Sequence, residues 1–238
     1  MRKFLNYILS PFGLQVLKKP NQRQSKYFGL NNLDKILEEY LPFDNGFFVE
    51  LGANNGVDQS NTLYFELFKG WKGVLVEPVA HNYFMCRKNR SEENSIHCNA
   101  CVSFEYKDRF VPISYANLMT MPIIESSSIV DKEEYVNISR PHLEKHEDVV
   151  IFGAEAKTLN DILLESGAPK EIDFLSLDVE GAELEVLRGI DFQEFRFKYM
   201  CIECFDLEKI FSYLDEKGYE MIRKISTHDY IFRNKVLV

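Results

Sequence analysis

The chain has 238 residues, of which 45% are apolar and 27% charged, and a formal net charge of −9. That length supports one sizeable core with a local elaboration and excludes two full enzyme domains, while the composition excludes a disordered, collagenous or disulfide-dense chain. The acidic balance argues against a general affinity for nucleic-acid backbones, which needs clustered Lys and Arg.

The first residues are basic, with Arg2, Lys3, Lys18, Lys19, Arg23 and Lys26 and no acid before Asp34. Residues 1–30 therefore form a basic N-terminal arm. Its apolar residues Phe4, Leu5, Ile8, Leu9, Phe12 and Leu14, interrupted by Pro11, suit either a short element lying on an anionic membrane through residues 1–20 or an arm packed on its own domain or a partner subunit. A cleaved signal peptide fits poorly, and no apolar run reaches the roughly 18 residues of a membrane span.

From residue 31 to 238 the pattern is that of one α/β domain, with short β-rich runs alternating with helical segments. Leu33, Ile36, Leu37 and Tyr40 share a helix face. Phe47 to Leu51 is a continuous apolar strand, followed by a helix over 60–68, a strand over Val74 to Glu77, a helix over 80–90 and a strand over 95–102. The alternation lapses over about 104–156, which holds Pro112, Pro122, Pro141 and the Ser126-Ser127-Ser128 run. An irregular insertion of that length commonly serves as a lid or binds the acceptor. Order returns with a helix over 158–164, a buried strand over Ile172 to Leu177, a helix over 182–187, a strand over 199–205, a helix over 207–217 and a terminal strand pair over 219–225 and 230–232.

Cys86, Cys98, Cys101, Cys201 and Cys204 are odd in number and scattered, which predicts a reducing, cytoplasmic setting. The pairs Cys98/Cys101 and Cys201/Cys204 have the spacing of a zinc site, but both fall on strands where residues three apart face opposite ways, so no metal ligand set is assigned.

In an open α/β sheet the ligand crevice lies beyond the carboxyl ends of the strands. The first such end is Glu50-Leu51-Gly52-Ala53-Asn54-Asn55-Gly56. Its two glycines let a turn pass close under a ligand, and its Gly-x-x-x-Gly spacing lacks the third glycine of the dinucleotide fingerprint. A ligand without phosphates, such as S-adenosylmethionine, suits it better. Glu77, followed by Pro78, ends the second strand, where a carboxylate accepts hydrogen bonds from both ribose hydroxyls. Ala100 and Cys101 would border the adenine. The last end is Asp178-Val179-Glu180-Gly181, a carboxylate pair suited to a cationic ligand group or to an acceptor hydroxyl.

These residues resemble the FkbM family of S-adenosylmethionine-dependent methyltransferases. The likeness runs from about Phe47 to the C-terminus and is most specific in Phe48 to Gly56 with Glu77-Pro78, and in Thr158-Leu159 through Ile172 to Glu183. The Val186-Leu187-Arg188-Gly189-Ile190 segment and Ile202-Glu203 also fit the family pattern. The resemblance implies a Rossmann-like class I methyltransferase sheet, mostly parallel and seven-stranded, with helices on both faces. It also implies methyl transfer to an oxygen acceptor, a sugar or other small-molecule hydroxyl. Cofactor-binding candidates are Glu50, Gly52, Ala53, Asn54, Asn55, Gly56, Glu77, Pro78, Ala100, Cys101 and Asp178. Candidates for the general base are, in order, Glu180, Asp178, Glu203 and His228, the last for its ordinary pKa near neutrality. The rival readings are a nicotinamide-dependent oxidoreductase, against which the missing glycine speaks, and a non-catalytic binding module on the same fold.

Overall fold

The computed structural model describes residues 26–238 apart from Val130, Glu144 and His146. The reading of residues 1–20 as a membrane contact therefore lies outside the described residues.

Five parallel strands make up most of the sheet. Phe47–Leu51 (β1) lies parallel between Lys72–Val76 (β2) and Glu171–Leu177 (β8), Ser95–His97 (β3) extends one side, and Arg196–Glu203 (β9) extends the other. Asp229–Asn234 (β11) inserts antiparallel between β9 and Tyr219–Lys224 (β10). The order β10-β11-β9-β8-β1-β2-β3 is the mostly parallel seven-stranded sheet expected. Strands covered on both faces are mostly apolar, and alternate residues of β1 serve opposite layers. Phe48 packs with Leu33 and Leu37 of Leu33–Leu37 (α1) and with Tyr64 and Phe65 of Leu63–Lys69 (α2). Ala80–Asn89 (α3) adds Cys86 to that layer. Val49 and Leu51 pack on the opposite layer, with Leu159–Glu165 (α5), Glu183–Leu187 (α6) and Leu207–Glu216 (α7).

Two expectations change. The strand read over 95–102 is two strands: β3 stays in the main sheet, whereas Ala100–Val102 (β4) pairs with Val150–Thr158 (β7) in a second sheet. The segment read as irregular contains most of that sheet. Phe110–Tyr115 (β5) pairs antiparallel with β7 and with Met121–Pro122 (β6), giving the order β4-β7-β5-β6. A helix, Lys132–Ser139 (α4), follows with Asp131 as N-cap, its carboxylate accepting from Glu134 N at 2.8 Å. Val111, Ile113 and Ala154 turn inward to a small core with Ala182, so the insertion is seated against the loop that follows β8. No helix among the described residues is long and apolar enough to cross a membrane.

Candidate active site

The chain winds from β1 to β2 and β3 on one side and from β8 to β9 on the other, so a crevice opens between the carboxyl ends of β1 and β8. It is a cleft of about 1030 Å³, part of it open to solvent, walled by the loops after β1, β2 and β8 and by the second sheet.

Gly52 makes the turn out of β1. Its N–H and that of Ala53 both donate to Val76 O at 3.1 Å, which draws the loop against the end of β2. At φ +77° a side chain is strained, and a Cβ would lie 2.0 Å from Asp178 O. Thus Gly52 is required by the crossing of two backbone segments at the switch point, before any ligand enters. Gly56 is not under the cleft: its φ is +80°, and a Cβ would meet Arg90 Cγ at 2.8 Å and Cys86 Sγ at 2.9 Å. Its freedom serves packing on α3.

Glu77 and the glycine turn are brought together. Glu77 is buried, with Oε2 accepting from Asn54 N and Oε1 from Val79 N, each at 2.8 Å. With the Asn82 side chain as a third donor, the ionised carboxylate keeps lone-pair capacity for a ligand hydroxyl. Burial pushes this carboxyl up to about 7, opposed by the two backbone bonds and by the Asn82 side chain. The raised value means that the folded chain holds a proton the unfolded chain has lost. Glu77 therefore favours the free fold at low pH and ceases to do so as pH rises between about 4.5 and 7. Ligand binding runs the other way, because ribose hydroxyls donate more strongly to the ionised form. Affinity for S-adenosylhomocysteine should fall as pH drops below about 7, approaching tenfold per pH unit. Calorimetric titrations from about pH 5.5 to 8.5 would measure this, and a flat profile would remove Glu77 from the ligand.

The other predicted residues divide. Ala53, Asn54, Pro78, Ala100, Cys101, Asp178 and Glu180 line the cleft with Gly52 and Glu77. Glu50 does not: it is buried behind the turn, accepting from Ser60, Asn61, Thr62 and Arg90. Asn55 is also outside the lining; its side chain accepts from Val57 N and Asp58 N at 2.9 Å and shapes the loop instead. His228 is exposed and stacks on Phe205, ring centroids 5.1 Å apart, away from the cleft lining. Glu203, at the end of β9, is absent from the lining but stands beside Asp178 and Glu180: one carboxylate oxygen from each of the three lies within 4.8 Å of the others.

Asp178 faces the open cleft, yet enough protein encloses it that loss of water holds its carboxyl above the ordinary aspartate value, opposed by a hydrogen bond with Glu203. Burial, then the Asp178 charge, pushes Glu180 up to about 8; burial with both of these neighbours pushes Glu203 up to about 11. Glu180 holds φ +52°, a conformation costly for a residue other than Gly or Asn and concentrated at functional sites.

Several neighbours were not foreseen. Tyr135 of α4 donates its hydroxyl to Glu180 Oε2, and Ser128 N donates to Gly181 O at 2.8 Å, so the insertion grips the acidic loop. Asp131-x-x-Glu134, a capping pattern, was the available sign of a helix there. Val111, Ile113, Pro122 and Ile124 give the cleft an apolar wall, and Asn117 and Thr120 give it polar edges.

The family model described as "Methyltransferase FkbM domain" matches residues 50–221, which span the glycine turn, Glu77, the acidic loop and the whole of the second sheet. The chain belongs to the FkbM methyltransferase family. FkbM methyltransferases of this fold imply S-adenosylmethionine as the methyl donor. Among solved structures, the chain is similar to a putative RNA methyltransferase, PH1948, from Pyrococcus horikoshii. Identity is 12%, coverage 99% of this chain and 97% of that one, and the TM-score 0.44. It is also similar to the METTL16 MTase domain, at 12% identity, 97% and 77% coverage and a TM-score of 0.45. A third similar structure is the human methyltransferase 10 domain containing protein, at 13% identity, 97% and 94% coverage and a TM-score of 0.40. Among curated proteins none matches the chain.

Proposed function

We propose that this FkbM protein transfers a methyl group from S-adenosylmethionine to a hydroxyl of a small-molecule or glycan acceptor. What carries the reading is the juxtaposition of the Gly52 turn, Glu77 tied to Asn54 N at 2.8 Å, and a group of carboxylates on the far side of one cleft. The donor set fits the cofactor: Glu77 for the ribose, Pro78, Ala100 and Cys101 for the adenine, and Gly52 to Asn54 with Asp178 for the amino-acid end, whose ammonium Asp178 would hold. Bound S-adenosylmethionine supplies an electrophilic methyl on a positively charged sulfur.

The residues' task is then alignment and removal of a proton. The apolar wall of Val111, Ile113, Pro122 and Ile124 orients the acceptor and keeps water from the reacting centre. Glu180 takes the hydroxyl proton, because it lines the cleft, is anchored by Tyr135 and has a carboxyl raised toward the working pH. Asp178 and Glu203 are next in order. His228, stacked on Phe205 outside the cleft lining, is set aside. The net charge of −9 favours a small or uncharged acceptor over a nucleic acid, and five unbridged cysteines suit a reducing, cytoplasmic setting.

Calorimetry with S-adenosylhomocysteine and with NAD tests the cofactor half of the reading. One equivalent of S-adenosylhomocysteine is expected to bind and NAD is not. Binding of NAD alone would favour the oxidoreductase, and binding of neither would favour the non-catalytic module.

A further inference from the structure

Residues 127–135 of the insertion clasp the loop that carries Glu180 at three points. Ser128 N donates to Gly181 O at 2.8 Å. Ser127 and Ile129 close over Gly181, where an added Cβ would lie 2.9 Å from Ser127 Oγ and from Ile129 Cγ1. Tyr135, in the first turn of α4, donates its hydroxyl to Glu180 Oε2 and sets its ring edge-on against Phe205 beyond β9, centroids 6.4 Å apart at 81°. The Glu180 backbone between these contacts is left-handed at φ +52°, a conformation that persists only where the surroundings over-determine it.

Tyr135 is a donor and not a rival base. Burial, then the Glu180 charge, raises its hydroxyl well above the ordinary phenol value, so it keeps its proton throughout the working range. Its bond occupies Glu180 Oε2, and Oε1 has no hydrogen-bond partner among the described residues. We propose that Tyr135 is the positioning residue for Glu180: its hydroxyl, carried in by α4, fixes Oε2 and presents Oε1 to the acceptor hydroxyl. The inference rests on the reading of Glu180 as general base, and Oε1 is then the atom that takes the proton.

The same bond governs how readily Glu180 ionises. The titratable groups around it are Asp178 on its own loop, Glu183 of α6, Glu203 at the end of β9 and Tyr135 of α4. Burial, then the charges of Asp178 and Glu183, raises the Glu180 carboxyl, and the bond from Tyr135 opposes them. A donor to the ionised form favours that form, so without the hydroxyl Glu180 would hold its proton to higher pH. Because the donor belongs to α4, the base is complete only while the insertion is seated on the acidic loop, and the element that walls the acceptor side also finishes the proton acceptor.

Tyr135→Phe deletes the hydroxyl and keeps the ring against Phe205. In the full chain enriched with carbon-13 at glutamate Cδ, the Glu180 resonance is identified by its absence from Glu180→Gln and titrated by NMR. Its midpoint is expected to rise by about one pH unit in Tyr135→Phe, with S-adenosylhomocysteine binding near that of the parent as the check on folding. A midpoint that stays or falls overturns the proposal. Transfer of radiolabelled methyl groups to a hydroxylated small-molecule extract gives the second readout. Tyr135→Phe should slow it on the order of tenfold at neutral pH, leave the KM for S-adenosylmethionine unchanged, move the acidic limb of the pH profile upward and cause no further loss in a Glu180→Gln background. A further loss in that background overturns the proposal, because Tyr135 would then act on the fold and not through Glu180. Should the midpoint move as expected while Glu180→Gln transfers methyl groups as fast as the parent, the base reading falls and only the hold of Tyr135 on Glu180 stands.

Discussion

Replacing Arg90 by alanine is expected to cost about 3–5 kcal/mol of folding stability, the usual result of stranding a buried charge. The Arg90 side chain is wholly buried. Its Nη1 lies 3.1 Å from Glu50 Oε2 and its Nε 2.7 Å from Glu66 Oε2, with both acids almost fully buried. The same guanidinium donates to Thr62 Oγ1 and Ser60 Oγ, and to Gly56 O at 3.3 Å. Removing it leaves two carboxylates without a cation and frees the far end of the glycine turn. Chemical denaturation would measure the first effect, and a weaker titration with S-adenosylhomocysteine the second. The double change Arg90→Met with Glu50→Gln should recover part of the stability, because the uncompensated charge is then halved. A loss under 1 kcal/mol for Arg90→Ala would mean that water or another cation reaches Glu50 and Glu66.

Glu180→Gln is expected to lower methyl transfer by about 10²–10⁴-fold while S-adenosylhomocysteine binding stays near that of the parent. The amide keeps nearly the same shape and can still accept from the Tyr135 hydroxyl, so the substitution removes proton acceptance with little change in the packing of α4. Incorporation of radiolabelled methyl groups into a hydroxylated small-molecule extract, parent against variant, reads the effect. Equal incorporation would exclude Glu180 as base and move attention to Asp178.

How much of this was legible beforehand follows from range. Phe47 to Leu51 and Ile172 to Leu177 are mostly apolar because both faces are covered, and such runs announce central strands. The residue after each run is then placed at the crevice by topology alone, which is why Gly52, Glu77 and Asp178 could be named. Glu50 misled for the same reason: a polar residue at a strand end reads as a ligand contact, and its true partner, Arg90, lies 40 residues on, at the end of α3. Gly56 was assigned to the ligand although α3 is what presses on it.

The second sheet escaped because its strands are short, partly exposed and broken by Pro112 and Pro122, so neither period persists long enough to register. Its pairing partners are also remote. Val111 faces Ala154, and Val102 faces Thr158. Tyr135 could be found only once α4 was known to lie over the acidic loop.

The way the second sheet is attached has a consequence for how acceptors are chosen. It joins the main domain at two seams, between His97 and Ala100 where β3 gives way to β4, and at Thr158, which both ends β7 and caps α5 by accepting from Asp161 N. The stretch between those seams holds β5, β6 and α4, whereas the Gly52 turn and Glu77 precede the first of them. Exchanging residues 104–156 as a cassette is therefore expected to alter what the cleft admits while the Gly52 turn and Glu77 stay in place, provided that the contacts of Tyr135 and Ser128 with the loop after β8 are kept.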